Sequence, residues 1–176
     1  MLSSHAQSKL RIGVSSCLLG YNVRYDGKNK KHDYVTKLCE TFDCIAICPE
    51  YRIGMGVPRP TINLVTVNGV VHALTSEPVP SDVTLALRQD AVNLVASEKL
   101  VGYVFKARSP SCGVNSASMI NSDNHTIEGY TSGIFSEKIQ QLLPNIPIIE
   151  EQNLTDEAEL NNFIQRILAF AQAANK

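Results

Sequence analysis

Apolar residues fall along this chain in short runs that end abruptly on small polar residues or cysteine, and between the runs they recur at helical spacing. The runs over residues 10–16, 42–47 and 100–105 read as strands, the last a continuous apolar run of the kind buried on both faces. Residues 61–75 alternate apolar and polar around Asn68-Gly69, which predicts two antiparallel strands joined by a tight turn. A further strand is expected over 146–150. Helices are expected from an Asp33 cap to about residue 40, with Tyr34, Val35 and Leu38 inward, and from a Ser81-Asp82 cap over 83–98, with Leu87, Ala91, Leu94 and Val95 inward. Two more follow over 133–143, stopped by Pro144, and from Asp156 to about 173, where Leu160, Phe163, Ile167, Leu168 and Phe170 share the apolar positions. The segment 48–60, rich in Gly and Pro, reads as an ordered loop, and 113–129 as polar and turn-rich. Residues 1–9 read as a disordered tail. Strands alternating with helices predict an α/β fold: a single domain over 10–176, with a mostly parallel sheet flanked by helices on both faces and one antiparallel hairpin.

Composition narrows the function classes. At 176 residues with 44% hydrophobic content, the chain is long enough for one domain with a sizeable core. A net charge of −1 gives no general affinity for a nucleic-acid polymer or an anionic membrane. The apolar runs are too short to span a bilayer, and the polar first eight residues lack the apolar segment of a secretory signal. The expectation is a cytoplasmic protein with no membrane partner. In a reducing compartment its five cysteines read as metal ligands, catalytic groups or buried thiols rather than disulfides. Cys39, on the first helix, and Cys44, inside the second strand, read as buried thiols.

The other three cysteines stand where chemistry is expected. Ser15-Ser16-Cys17, Cys48-Pro49-Glu50 and Lys106-Ala107-Arg108-Ser109-Pro110-Ser111-Cys112-Gly113 each follow an apolar run, and open α/β sheets bind ligands beyond the carboxyl ends of their strands. Three cysteines at three such ends can meet at one point. No Cys-x-x-Cys occurs, which argues against a zinc ribbon or a ferredoxin-type loop. Gly54-Met55-Gly56 lacks the third glycine of a dinucleotide loop, and no Walker motif is present.

Taken in order, Ser15-Ser16-Cys17-Leu18-Leu19-Gly20, Val23-Arg24-Tyr25-Asp26-Gly27, Cys48-Pro49-Glu50, Gly54-Met55-Gly56-Val57-Pro58-Arg59 and the 106–113 motif resemble the thiouracil desulfidase family. The resemblance implies a [4Fe–4S] cluster held by three cysteines with one iron left open, at positions that Cys17, Cys48 and Cys112 match. It implies non-redox removal of sulfur from a thiolated base or nucleotide, and a cluster-assembly machinery as partner. Around such a site Glu50, two residues past a ligand, is the candidate acid/base, and Lys106 can stabilise developing negative charge. Ser109 and Ser111 can position water or substrate, Tyr25 offers a π face and Asp26 an acceptor. Bland readings stand beside these: Glu50 capping a helix or pairing with Arg59, Asp26-Gly27 as a turn, and the Lys28–His32 cluster as a solvated loop or a phosphate contact. The rival classes are a structural zinc protein, a metal-free enzyme with Cys112 as nucleophile, and a small-molecule binding module.

Overall fold

The structure is a computed structural model that describes residues 9–121, 123 and 125–174. In chain order its elements are β1 (Arg11–Ser15), α1 (Asp33–Thr41), β2 (Asp43–Ile47), α2 (Pro49–Arg52), β3 (Ile62–Val67) and β4 (Val70–Thr75). Then come α3 (Thr84–Ser97), β5 (Leu100–Phe105), β6 (Ala117–Ile120), β7 (Ile127–Thr131), α4 (Ile134–Leu142), β8 (Ile148–Glu150) and α5 (Glu157–Ala174). The tail expected over 1–9 lies outside the described residues save for Lys9, whose Nζ donates to Glu40 O at 2.8 Å.

Sheet A has the order β2-β1-β5-β8 and is parallel throughout. Its two faces are covered by different helices, as the continuous apolar strands require. On one face Val35 and Leu38 of α1 and Phe163 and Ile167 of α5 pack on Ile12, Val14 and Val104. On the other, Ala91 and Leu94 of α3 and Phe135 and Ile139 of α4 pack on Ile47, Tyr103 and Phe105. A side chain at Gly13 would meet the Tyr103 ring at 2.4 Å, so the glycine makes room for that ring on the neighbouring strand.

Sheet B, order β4-β3-β6-β7, extends the expected hairpin to four strands. The hairpin itself forms as predicted around Asn68-Gly69. The stretch read as turn-rich supplies β6 and β7, with Met119 paired to Leu64 and the inner face resting on Leu87 of α3 and Ile134 of α4. Those two helices therefore lie between the sheets.

Four local expectations change. Val83, not Ser81-Asp82, stands at the cap position before α3 and makes no side-chain cap bond, although Asp82 Oδ1 accepts from Thr84 N at 2.9 Å. Asp33 opens α1 as its first residue, behind an extended His32 that makes no side-chain cap bond. The 48–60 loop starts with a helical turn, α2, whose first position is Pro49. Cys39 and Cys44 are a disulfide rather than two buried thiols, because the chain reverses between α1 and β2 and brings their Cα atoms to 5.4 Å. Asp156, read as the start of the last helix, stands just before α5 and accepts from Glu159 N at 2.9 Å. Among the described residues no helix is long and apolar enough to cross a membrane.

Candidate functional site

Three strands of sheet A deliver one free cysteine each to a common cavity of about 340 Å³. After β1 the chain turns through a short 3-10 segment, Ser16–Leu19, closed by Gly20 at φ +94°, and Cys17 sits in that turn. After β2, Cys48 is the residue from which α2 starts. After β5, residues 106–116 form the loop that carries Cys112. All three cysteines line the cavity.

Burial pushes the Cys17 thiol up to about 11, against the pull of Lys106 and Arg24 and with the push of Cys48. Cys48 is raised first by burial, with a Tyr51 backbone N–H and Arg59 opposing. Cys112 is raised well above the usual thiol range by burial and then by the charges of Cys48 and Glu50. Cys17 and Cys112 each feel the charge of another cysteine, and metal binding would have to displace the thiols' protons. Among the described residues no three His, Cys, Asp or Glu side chains stand close enough to grip a single metal ion.

Glu50 lines the cavity with both oxygens engaged: Arg59 Nε donates to Oε2 and Ser111 Oγ to Oε1, each at 2.7 Å. Pairing with Arg59 is therefore real, yet a carboxylate offers about four acceptor sites and two remain. Ser109 Oγ lies on the wall and accepts from Ser111 N and Cys112 N at 3.2 and 3.1 Å, fixing the turn that presents Cys112. Lys106 is also on the wall; its Nζ is paired with Glu151 and donates to Ala107 O at 2.9 Å. Tyr25 lines the mouth, 41% exposed, with the Arg24 guanidinium 5.4 Å from its ring centre.

Two of the expected residues are not on the wall. Ser111 is fully buried behind Glu50. Asp26 accepts from Lys28 N at 3.1 Å and lies 3.7 Å from Arg24 Nε, which is the turn reading. Of the basic cluster, Lys30 reaches the wall.

Sequence reasoning named Arg59 only as a possible partner of Glu50 and gave Ser15 and Arg24 no role of their own. Arg59, its side chain 3% exposed, holds Glu50, donates to Gly56 O at 2.9 Å and brings Nη2 to 3.9 Å from Cys48 Sγ. Its signal was a lone arginine closing a Gly- and Pro-rich loop. Ser15 Oγ accepts from Lys106 N at 3.0 Å, and its hydrogen bond works against the raised Cys112 thiol. Of the five cations on the wall, Arg59 pairs with Glu50, Lys106 with Glu151 and Arg24 with Asp26, so Lys30 and Arg108 are the ones without a carboxylate partner among the described residues.

Comparisons with known proteins place the chain in a family. Residues 12–151 match the family described as 2-thiouracil desulfurase. An uncharacterized protein, YbbK of Bacillus subtilis (strain 168), is 30% identical over 111 residues, which are 58% of this chain and 72% of that protein. The solved structure of a [4Fe–4S]-dependent thiouracil desulfidase, TudS, superposes with a TM-score of 0.65 at 28% identity, covering 89% of this chain and 99% of that one.

Proposed function

The chain belongs to the 2-thiouracil desulfurase family, and on that premise we propose that it removes sulfur from a thiolated pyrimidine by hydrolysis, using a [4Fe–4S] cluster held by Cys17, Cys48 and Cys112. The observation that carries this reading is the sorting of the cysteines: the three at the strand ends are free and share one cavity, while the other two are bonded to each other. A structural zinc is closed by four protein ligands, whereas three free cysteines line this cavity, a set that suits a cluster held by three thiolates better. The cationic wall and the Arg59 guanidinium near Cys48 suit the net negative charge of such a group. When bound, a cluster with three protein thiolates supplies an iron without a protein ligand, a soft Lewis acid matched to thiocarbonyl sulfur.

The chain's own residues do the rest. The reaction is C=S plus water to C=O plus hydrogen sulfide, so no electrons are exchanged. Glu50, held by Arg59 and Ser111 with acceptor sites to spare, takes a proton from the attacking water and returns one to the departing sulfur. Ser109 and Lys106 donate toward charge that builds on the ring or the attacked carbon. Tyr25 supplies a face for the base at the mouth. Asp26 acts through its turn, by setting Arg24. Lys30 and Arg108, the wall cations that no carboxylate neutralises among the described residues, favour a substrate that carries a negative group, as a nucleotide does, over the free base.

The test is anaerobic reconstitution with iron and sulfide, followed by a sulfide-release assay on thiouracil and its nucleotides without added reductant. Release of one sulfide per product, with lower KM for the nucleotide, is the expected result. A protein that loads a cluster and releases no sulfide from any thiolated pyrimidine would sink the reading.

A further inference from the structure

The loop 106–116 carries Ser109 and Cys112, and its backbone polar groups are held from two sides. Its carbonyls are taken by the start of α4. Gly133 N donates to Gly113 O at 2.8 Å, Ile134 N to Pro110 O at 3.1 Å, and Phe135 N and Ser136 N to Ser111 O at 3.1 and 3.0 Å. These include N–H groups of the first turn of a helix, which have no partner inside the helix itself.

Its N–H groups are taken by two neighbouring carboxylates that no cysteine or cavity argument points to. Glu151 Oε2 accepts from Ala107 N at 2.6 Å while Oε1 pairs with Lys106. Glu150, at the end of β8 and 5% exposed, accepts from Val114 N at 2.7 Å and from Ser116 Oγ on Oε1, and from Gln152 Nε2 at 2.7 Å on Oε2. Ser116 Oγ in turn accepts from Arg108 N at 2.8 Å. Arg108 and Asn115 both have positive φ, +60° and +55°, a backbone state that surrounding structure must enforce in residues other than glycine. Among the described residues no ion pair joins Glu150 to a cation. Its partners are two neutral side chains and one backbone N–H, so this buried carboxylate is explained by the loop it holds rather than by charge balance.

We propose that Glu150 is a positioning residue for the cavity: through Val114 N and Ser116 it holds the strained loop that sets where Ser109 and Cys112 stand. The inference rests on the desulfidase reading for its consequence to the reaction, and on the hydrogen bonds alone for its consequence to the loop. In Glu150→Ala the Val114 N–H loses its partner and the Ser116–Arg108 relay loses its anchor. In Glu150→Gln the amide oxygen keeps both acceptors, and Gln152 can turn its own oxygen toward the new amide N–H.

The test compares wild type, Glu150→Ala, Glu150→Gln and Ser116→Ala as full-length protein, by hydrogen exchange and by sulfide release. Exchange over residues 106–117 should quicken about tenfold in both alanine variants, with residues 11–19 and 43–52 unchanged, and return toward wild type in the Gln variant. The rate of sulfide release should follow the loop. Ser116→Ala removes one hydroxyl and decides the matter if Glu150→Ala does not fold. Faster exchange spread evenly over the protein, an unchanged loop, or a loosened loop with an undiminished rate would each overturn the proposal. A wild-type protein that releases no sulfide refutes the desulfidase reading instead, and the exchange data still decide whether Glu150 holds the loop.

Discussion

At the carboxyl ends of sheet A three cysteines are unpaired and face one cavity; near its amino ends Cys44 of β2 is bonded to Cys39 of α1. The ionic groups differ in the same way. Glu50–Arg59 and Lys106–Glu151 at the carboxyl ends are almost wholly buried. The pairs that Arg11 makes with Asp43 and Glu98 at the other end are half exposed. The cause is connection geometry. At the amino end β2 and β5 are entered from α1 and α3 through tight reversals, which press side chains into pairs. At the carboxyl end each strand opens into a turn or loop whose backbone and side-chain donors surround a space. Cysteine and charge close the fold at one end and remain available for chemistry at the other.

The comparison breaks most sharply on the cysteines. Cys17→Ser, Cys48→Ser or Cys112→Ser should each leave almost no iron on the chain after anaerobic reconstitution, because a three-thiolate site has no spare ligand. The double variant Cys39→Ser with Cys44→Ser should keep wild-type iron content. Equal iron in all four proteins would erase the distinction between the two ends. Next in size is Glu50→Gln, which keeps the shape and loses proton exchange. Sulfide release should drop by about 10²–10⁴-fold at unchanged cluster absorbance. A loaded Gln variant working at wild-type rate would take Glu50 out of the mechanism.

Smaller effects sharpen the contrast in stability. A Cβ at Gly133 would stand 2.4 Å from Ser111 C and 2.7 Å from Cys112 N, backbone atoms with no freedom to withdraw. Gly133→Ala should therefore cost about 1–3 kcal/mol in denaturant unfolding and lower iron retention as well. At the far end, Arg11→Ala removes two exposed ion pairs and should cost less than about 1 kcal/mol, with iron content untouched. If Arg11→Ala impaired the site more than Gly133→Ala, the division of labour drawn here would be mistaken.

Sheet A was legible in the sequence because its strands are continuous apolar runs and its helices keep a regular apolar face. Sheet B was half legible. Asn68-Gly69 announced the hairpin, but β6 and β7 hid because β6 has only four residues and β7 sets Gly129 among the exposed Ile127, Glu128 and Tyr130, which breaks the alternation that marks a strand. The disulfide was invisible because it depends on the reversal between α1 and β2, not on cysteine spacing. At the site, the cysteines announced themselves by standing after strands, and Lys106, Ser109 and Glu50 came with them onto the wall. Ser111 and Asp26 shared those motifs but face elsewhere, since neighbours along a loop point in different directions. Glu150 and Glu151 were unreadable. Two acids after a strand look like solvated surface until the loop they hold is seen packed over them.

Hydrolysis at a cluster-bearing cavity is the central claim, and the origin of the product's oxygen tests it most directly. Cluster-loaded protein is given thiouracil in ¹⁸O-labelled water, without oxygen and without reductant, and the uracil is weighed by mass spectrometry. The account predicts one labelled oxygen and one sulfide for each base converted, turnover after turnover. Unlabelled uracil, or conversion that stops unless an electron donor is supplied at each cycle, would contradict it.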